Sequence, residues 1–217
     1  MHDITQMLLM AAGGQAGQAS RAAGGTAAAT ITPASSYTAS ALGIGTAAAD
    51  RLVVASVAHR NAAGVTIPTT TAVTIGGVAA TMLGRASLSP YTETSVWVAL
   101  VPSGATANVE VTVDRNIDDY ALTLEAVYGA VSTPAYTVAS TPSSGGGDIT
   151  GVRNGLVLAS MLQQDYYFSA GVTLSNAAAA GIQISTAHAL PTTTGTVSPL
   201  TSGSGGLPYV AVSFAPK

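Results

Sequence analysis

A chain of 217 residues with net charge -3 and only 8% charged residues has no basic run to track phosphates, which argues against nucleic acid as a partner. It contains no cysteine, so disulfide staples, thiolate metal sites and cysteine nucleophiles are excluded together. An ordinary soluble domain carries about 25% charge. Here Ala, Thr, Ser and Gly fill those places, and a surface so poor in charge is expected to be partly covered by other subunits in a homo-oligomer or larger particle.

Residues 1–36 read as an N-terminal arm. Ile4, Met7 and Leu8 recur at helical spacing, Asp3 sits where an N-cap belongs and Gly13-Gly14 follow as a stop, so a short helix is expected over 4–12. The stretch is too short to span a bilayer, and Met1-His2-Asp3 offers no basic leader, so no membrane insertion and no secretion signal are expected. From Gln15 to Ala29 the chain is Gly, Ala, Gln and Thr with the single charge of Arg21, and no periodicity marks a core-facing side. The apolar face of Ile4, Met7 and Leu8 is expected to anchor the arm on a neighbouring subunit.

Residues 37–217 read as strands. Arg51–Arg60 is apolar on both faces and is expected to be buried, and Thr71–Leu83 reads as two short strands around the Gly76-Gly77 turn. Ser95–Asp114 reads as a hairpin. Its first run, Val96 to Val101, is apolar on both faces and marks a central strand carrying Trp97, the one Trp of the chain. In its second run Val109, Val111 and Val113 alternate with Glu110, Thr112 and Asp114. Tyr120–Tyr128 places Tyr120, Leu122, Leu124, Ala126 and Tyr128 inward and Thr123 and Glu125 outward.

Ser132–Asn154, with Pro134, Pro142 and Gly145-Gly146-Gly147, reads as loop with one edge strand at Tyr136–Ala139. Leu156–Ser160 echoes Leu52–Ser56 with one conservative difference, which marks both as central strands. Weaker strands are expected at Val172–Leu174 and Gly181–Thr186, and Tyr209–Phe214 as a C-terminal strand tied into a sheet. About ten short strands without helical pattern predict an all-β antiparallel sandwich, jelly-roll-like as one domain over 37–217, or two Ig-like units divided near 145.

Side-chain chemistry is sparse. Asp114, Asn116, Asp118 and Glu125 fall at positions 1, 3, 5 and 12 of a calcium loop, but Asp119 stands where the loop needs glycine, so an acidic turn is the preferred reading and no metal is expected. His2, His59 and His188 have no second ligand at metal spacing, and His59 reads as a loop-edge residue. There is no nucleophile elbow, phosphate-binding loop or zinc-protease motif, and no cofactor or enzymatic activity is expected. Gln163, Gln164, Asp165, Tyr166, Tyr167 and Phe168 combine aromatic faces with amide and carboxylate groups, which suits a subunit interface or stacking on a sugar ring.

The order LVVASV, VTIGGVAAT, SVWVALVPSGATANVEVTV, ALTLEAVYGA and a final YVAVSFAPK resembles small β-sandwich proteins of tailed bacteriophages and phage-like particles, over roughly residues 50–217. VTIGGVAAT is also similar to the strand-turn-strand of Ig-like IPT/TIG domains. The resemblance implies a non-enzymatic virion structural protein, of head decoration, head spike or tail fibre type. Its implied partners are capsid or tail subunits and, for a fibre or adhesin, a host surface glycan. Absence of coiled-coil or collagen repeats favours a decoration or spike component.

Overall fold

The computed structural model describes residues 17–61, 66–88, 92–140, 148–162, 173–179, 182–198 and 208–217. These residues are all β, and every strand pairing is antiparallel. The first half of the chain supplies β1 (Ser20–Gly43), β2 (Leu52–Arg60), β3 (Thr70–Ile75), β4 (Val78–Ala79), β5 (Thr81–Leu88), β6 (Thr92–Leu100) and β7 (Thr106–Tyr128). Together they make one seven-stranded sheet in the order β4-β3-β7-β2-β6-β5, with β1 also paired to β7. The second half supplies β8 (Tyr136–Ser140), β9 (Ile149–Gly151), β10 (Leu156–Leu162), β11 (Thr173–Ala179), β12 (Ile182–Ala189), β13 (Gly195–Val197) and β14 (Tyr209–Phe214). A five-stranded sheet runs β11-β12-β10-β14-β8, and β9 pairs with β13 apart from it.

The long strand β7 organises the first sheet. Val111 pairs with both Tyr37 and Val73, and Leu122 with both Ala27 and Val57. A strand has only two edges, so β1 follows one edge of β7 while β2 and then β3 share the other. Between Val113 and Ile117 the buried positions keep odd numbers, but from Tyr120 onward the core-facing residues are Tyr120, Leu122 and Leu124, so the strand changes phase at Asp118–Asp119. The sheet bends there and folds over itself around a core of Val53, Val57, Ile75, Trp97, Val109, Val111, Ile117 and Leu122. Ala80 alone separates β4 from β5 at the two ends of the path, and Gly24 and Gly25 of β1 press against Gly43 of the same strand. The sheet is therefore a nearly closed barrel.

The five-stranded sheet covers one side of that barrel. β11 packs on β1, β12 on β7 and β2, β10 on β6, and β14 and β8 on β5, an aligned face-to-face stack. Leu52, Val54, Val96, Val98 and Val127 meet Leu156, Leu158, Val210, Val212 and Phe214 at one end of the stack. Ala58 and Ala121 meet Leu162, Ile182 and Ile184 at the other. The end holding Ser20, Leu52, Leu100 and Tyr128 is called the near end below, and that holding Arg60, Thr92, Asp119 and Leu162 the far end. β2, β6 and the second half of β7 thus form a middle layer buried on both faces, as the two apolar faces of Arg51–Arg60 and Val96–Val101 require.

Several expectations hold and several are corrected. Gly76 and Gly77 have φ of +61° and +79° and close the β3–β4 hairpin as their sequence predicts. β2 and β10, the two echoing segments, are each central in their sheet, and Tyr136–Ser140 is an edge strand beside β14. Ser95–Asp114 is not a hairpin: β2 lies between β6 and β7 and pairs with both, so the connection crosses over. Residues 20–36 are not arm but the first part of β1, so the expected boundary at 36 falls inside a strand. Thr123 and Glu125 do point away from the barrel core, yet both are buried, because the second sheet covers that face. The sequence halves contribute one sheet each, meeting between Tyr128 and Tyr136, rather than one sandwich each.

A methyl group on Gly24 would lie 2.7 Å from both the Leu124 carbonyl oxygen and its Cβ, and 2.9 Å from the Gly43 oxygen. Backbone atoms cannot swing aside, so Gly24→Ala is expected to destabilise the protein by about 1–3 kcal/mol in urea unfolding. Gly195→Ala meets nothing within 4 Å and serves as the control, neutral or up to ~1 kcal/mol stabilising. Equal effects of the two would contradict closure of the barrel at Gly24.

Candidate functional site

The barrel core becomes polar at the far end. Glu93 of β6, His59 of β2 and Tyr120 of β7 stand side by side in register, all facing inward, and the ring of Tyr37 stacks on Tyr120 at 4.0 Å between centroids. The Thr70 N–H donates to Glu93 Oε1 at 3.0 Å, and Arg85 approaches the other oxygen at 3.9 Å. His59 Nε2 lies 3.2 Å from the Pro68 carbonyl, which puts the imidazole proton there and leaves Nδ1 as a lone pair. Neither that Nδ1 nor the Tyr37 hydroxyl has a partner among the described residues. Trp97 Nε1–H donates to Ser95 Oγ at 2.9 Å, and Ser95 in turn to Thr70 Oγ1 at 3.4 Å.

Burial governs how these groups hold protons. Desolvation pushes Glu93 from 4.5 up to about 7, against the pull of its Thr70 bonds and of Arg85. The same desolvation lowers His59 from 6.5 to about 4, with Asp114 opposing. Tyr37 is raised well above 10.0 by burial, then by Tyr120 and Glu93.

The second polar cluster joins the sheets. Arg21 of β1 donates through Nε to Glu125 Oε2 at 2.7 Å and through Nη1 to His188 Nδ1 of β12 at 3.0 Å. Beside it Thr123 and Thr186 share a hydrogen bond of 2.6 Å across the interface. Asp119 accepts Thr30 Oγ1–H at 2.6 Å and is paired with Arg60. Arg51, fully buried, donates to the carbonyls of Val101, Gly45 and Ser103 at 2.7, 2.9 and 2.6 Å.

The four calcium-loop candidates are not brought together. Asp114, Asn116, Asp118 and Glu125 all lie on the extended β7, where residues two apart are separated by ~6.6 Å, too far to converge on one ion without a loop. Asp114 accepts from Thr69 N–H at 2.8 Å, and Glu125 is held by Arg21 between the sheets. Among the described residues no three His, Cys, Asp or Glu side chains are placed to hold a metal. His59 is buried at 0% exposure rather than at a loop edge, because β2 extends through it. Ile4, Met7, Leu8, His2 and the Gln163, Gln164, Asp165, Tyr166, Tyr167, Phe168 cluster lie outside the described residues.

On the outside, a groove of about 510 Å³ opens at the near end. Leu52, Val98 and Leu83 floor it, Val78, Met82 and Leu100 rim it, and the Ser132–Pro134 turn closes one side. No charged residue lines it among the described residues, and its three rim side chains are among the most exposed large apolar groups of the body. Sequence reading missed this groove, Glu93 and Arg51. Only the apolar pair Met82-Leu83 gave a signal for the first.

No family model, no curated protein and no solved structure matches the chain.

Glu93 and His59 oppose each other in their effect on stability. Glu93 is raised in the folded state, so between pH 4.5 and about 7 the unfolded chain loses a proton that the folded chain keeps. Raising the pH through that window removes on the order of 3 kcal/mol. His59 is lowered, so acidification from 6.5 to about 4 costs a similar amount, on the order of 3 kcal/mol. Glu93→Gln retains an acceptor for Thr70 and is expected to raise unfolding stability at pH 8. The gain should shrink to nothing by pH 4.5. Urea unfolding across that range checks it, and a gain independent of pH would contradict the burial of an ionisable Glu93.

Proposed function

We propose that the protein is a non-enzymatic structural subunit of a tailed-phage virion or phage-like particle, displayed at the surface as a head decoration or spike component and anchored through its N-terminal residues. The observation that carries this reading is that Gly17, the first described residue, and Lys217 lie together at one end of the body. Gly17 lies against Lys217, Ala19 N–H donates to the Asn154 carbonyl and Lys217 N–H to the Gly129 carbonyl, all at the near end. The apolar stretch Ile4–Met10 is joined there, so attachment through it leaves the far end turned outward. The inward charges support the same reading: Arg21, Arg51 and Arg60 hold strands together, and the remaining surface is poor in charge, as a surface flanked by other subunits tolerates.

A second reading concerns the far end. Leu162 ends β10 there, and Gln163–Phe168 follow it in the chain. Contact with a host surface glycan, as in a tail fibre or adhesin, fits aromatic and amide groups joined at that end. Binding of the full chain on a glycan array, lost in Tyr166→Ala/Tyr167→Ala, distinguishes it from a purely structural part.

Since β1 begins at Ser20, the informative truncation removes residues 1–16 and leaves every described strand intact. The truncated chain is expected to melt within a few degrees of the parent and to be absent from purified particles. Quantitative mass spectrometry of particles carrying the full chain is expected to give tens to hundreds of copies, as a head component requires. A full chain absent from particles, or a truncated chain incorporated at the parent level, overturns the proposal.

A further inference from the structure

The groove and the point where the N-terminal stretch joins the body both lie at the near end. β1, which carries Gly17 at its start, is separated from β6 by β7 and β2, three strand spacings or ~14 Å. The groove lies where β6 ends at Leu100 and β5 begins at Thr81. From Met10 to Gly17 the chain can span up to ~24 Å when extended. Residues 4–10, Ile-Thr-Gln-Met-Leu-Leu-Met, carry no charge and five large apolar side chains. The described lining of the groove carries no charge either, and its rim residues Val78, Met82 and Leu100 are 39%, 43% and 49% exposed.

We propose that this groove is the seat of the chain's own N-terminal stretch, Ile4–Met10, which latches across it in the unattached subunit. Three features select this occupant. The reach is sufficient, neither surface has a charge to desolvate, and a short tether raises the local concentration of the stretch above that of any free competitor. The latch covers in one step the apolar stretch and the apolar rim, which would otherwise both promote premature association. Release of the stretch on meeting a particle then exposes the anchor where it is used. The inference rests on residues 1–16 being the attachment segment, and deepens that reading by naming where they reside before attachment.

The absence of cysteine makes the test clean, because any introduced pair is the only pair. The full chain carrying Leu8→Cys with Met82→Cys is compared with one carrying Leu8→Cys with Thr112→Cys, an exposed position on the first half of β7. Under mild oxidation at micromolar concentration, the groove pair is expected to crosslink within one chain on the order of 10-fold faster than the control pair. In the cysteine-free chain, Leu100→Asp, at a half-exposed rim position, is expected to speed chymotryptic cleavage after Leu8 and Leu9 several-fold. Equal crosslinking rates, crosslinks formed mainly between two chains, or cleavage unchanged by Leu100→Asp would each overturn the latch. If instead deletion of residues 1–16 abolishes incorporation while the two crosslinking rates are equal, the attachment reading stands and the groove assignment falls.

Discussion

Everything in this fold depends on a layer of strands that has no solvent face. β2, β6 and the second half of β7 lie between the folded-over barrel and the five-stranded sheet, so their side chains are mostly apolar, small or partnered, with the Nδ1 of His59 an exception among the described residues. A buried charge without a partner costs several kcal/mol, about 3–5 when one member of a pair is lost, and this sets where ionisable residues can stand. Glu125 on the middle layer is answered by Arg21, which also bonds His188, and Asp119 by Arg60 and Thr30. Glu93 lacks a close cation, Arg85 standing at 3.9 Å, and responds by holding its proton.

The same constraint explains how the two sheets find their alignment. Apolar clusters at the near and far ends of the interface would tolerate sliding, since hydrophobic contact is non-directional. The Arg21–Glu125–His188 group and the Thr123–Thr186 bond sit between them and satisfy each other at one alignment only. A half-satisfied polar network is worse than an apolar one, so these groups penalise every shifted register.

Much of this was legible in the sequence where the signal is local. Apolar residues on both faces of Val53–Val57 and Val96–Ala99 announced buried strands, and Gly76-Gly77 announced a turn with two positive φ values. β1 escaped notice because its inward residues are mostly Ala, and its period of two is broken by register shifts at Ala23–Thr26, Thr30–Ala34, Ala34–Ser36 and Ala39–Leu42. The pairing of β2 between β6 and β7 is non-local and leaves no mark in either segment, so adjacent strands looked like a hairpin. Thr123 and Glu125 alternate with apolar neighbours as solvent-facing residues do, and only the presence of Arg21 and Thr186 opposite them shows that the polar face is an interior one. The near-end groove joins residues between Leu52 and Pro134, up to 82 positions apart, so no local pattern shows that they meet.

The central claim, a middle layer buried on both faces that sets global stability, is tested most directly by native-state hydrogen exchange. The amides of β2 and of Ala121–Val127 are expected to exchange only through global unfolding, with the highest opening free energies in the chain. Those of β4 and β13, paired at the periphery, should exchange through local opening. Exchange from β2 as fast as from β13 would contradict the three-layer account.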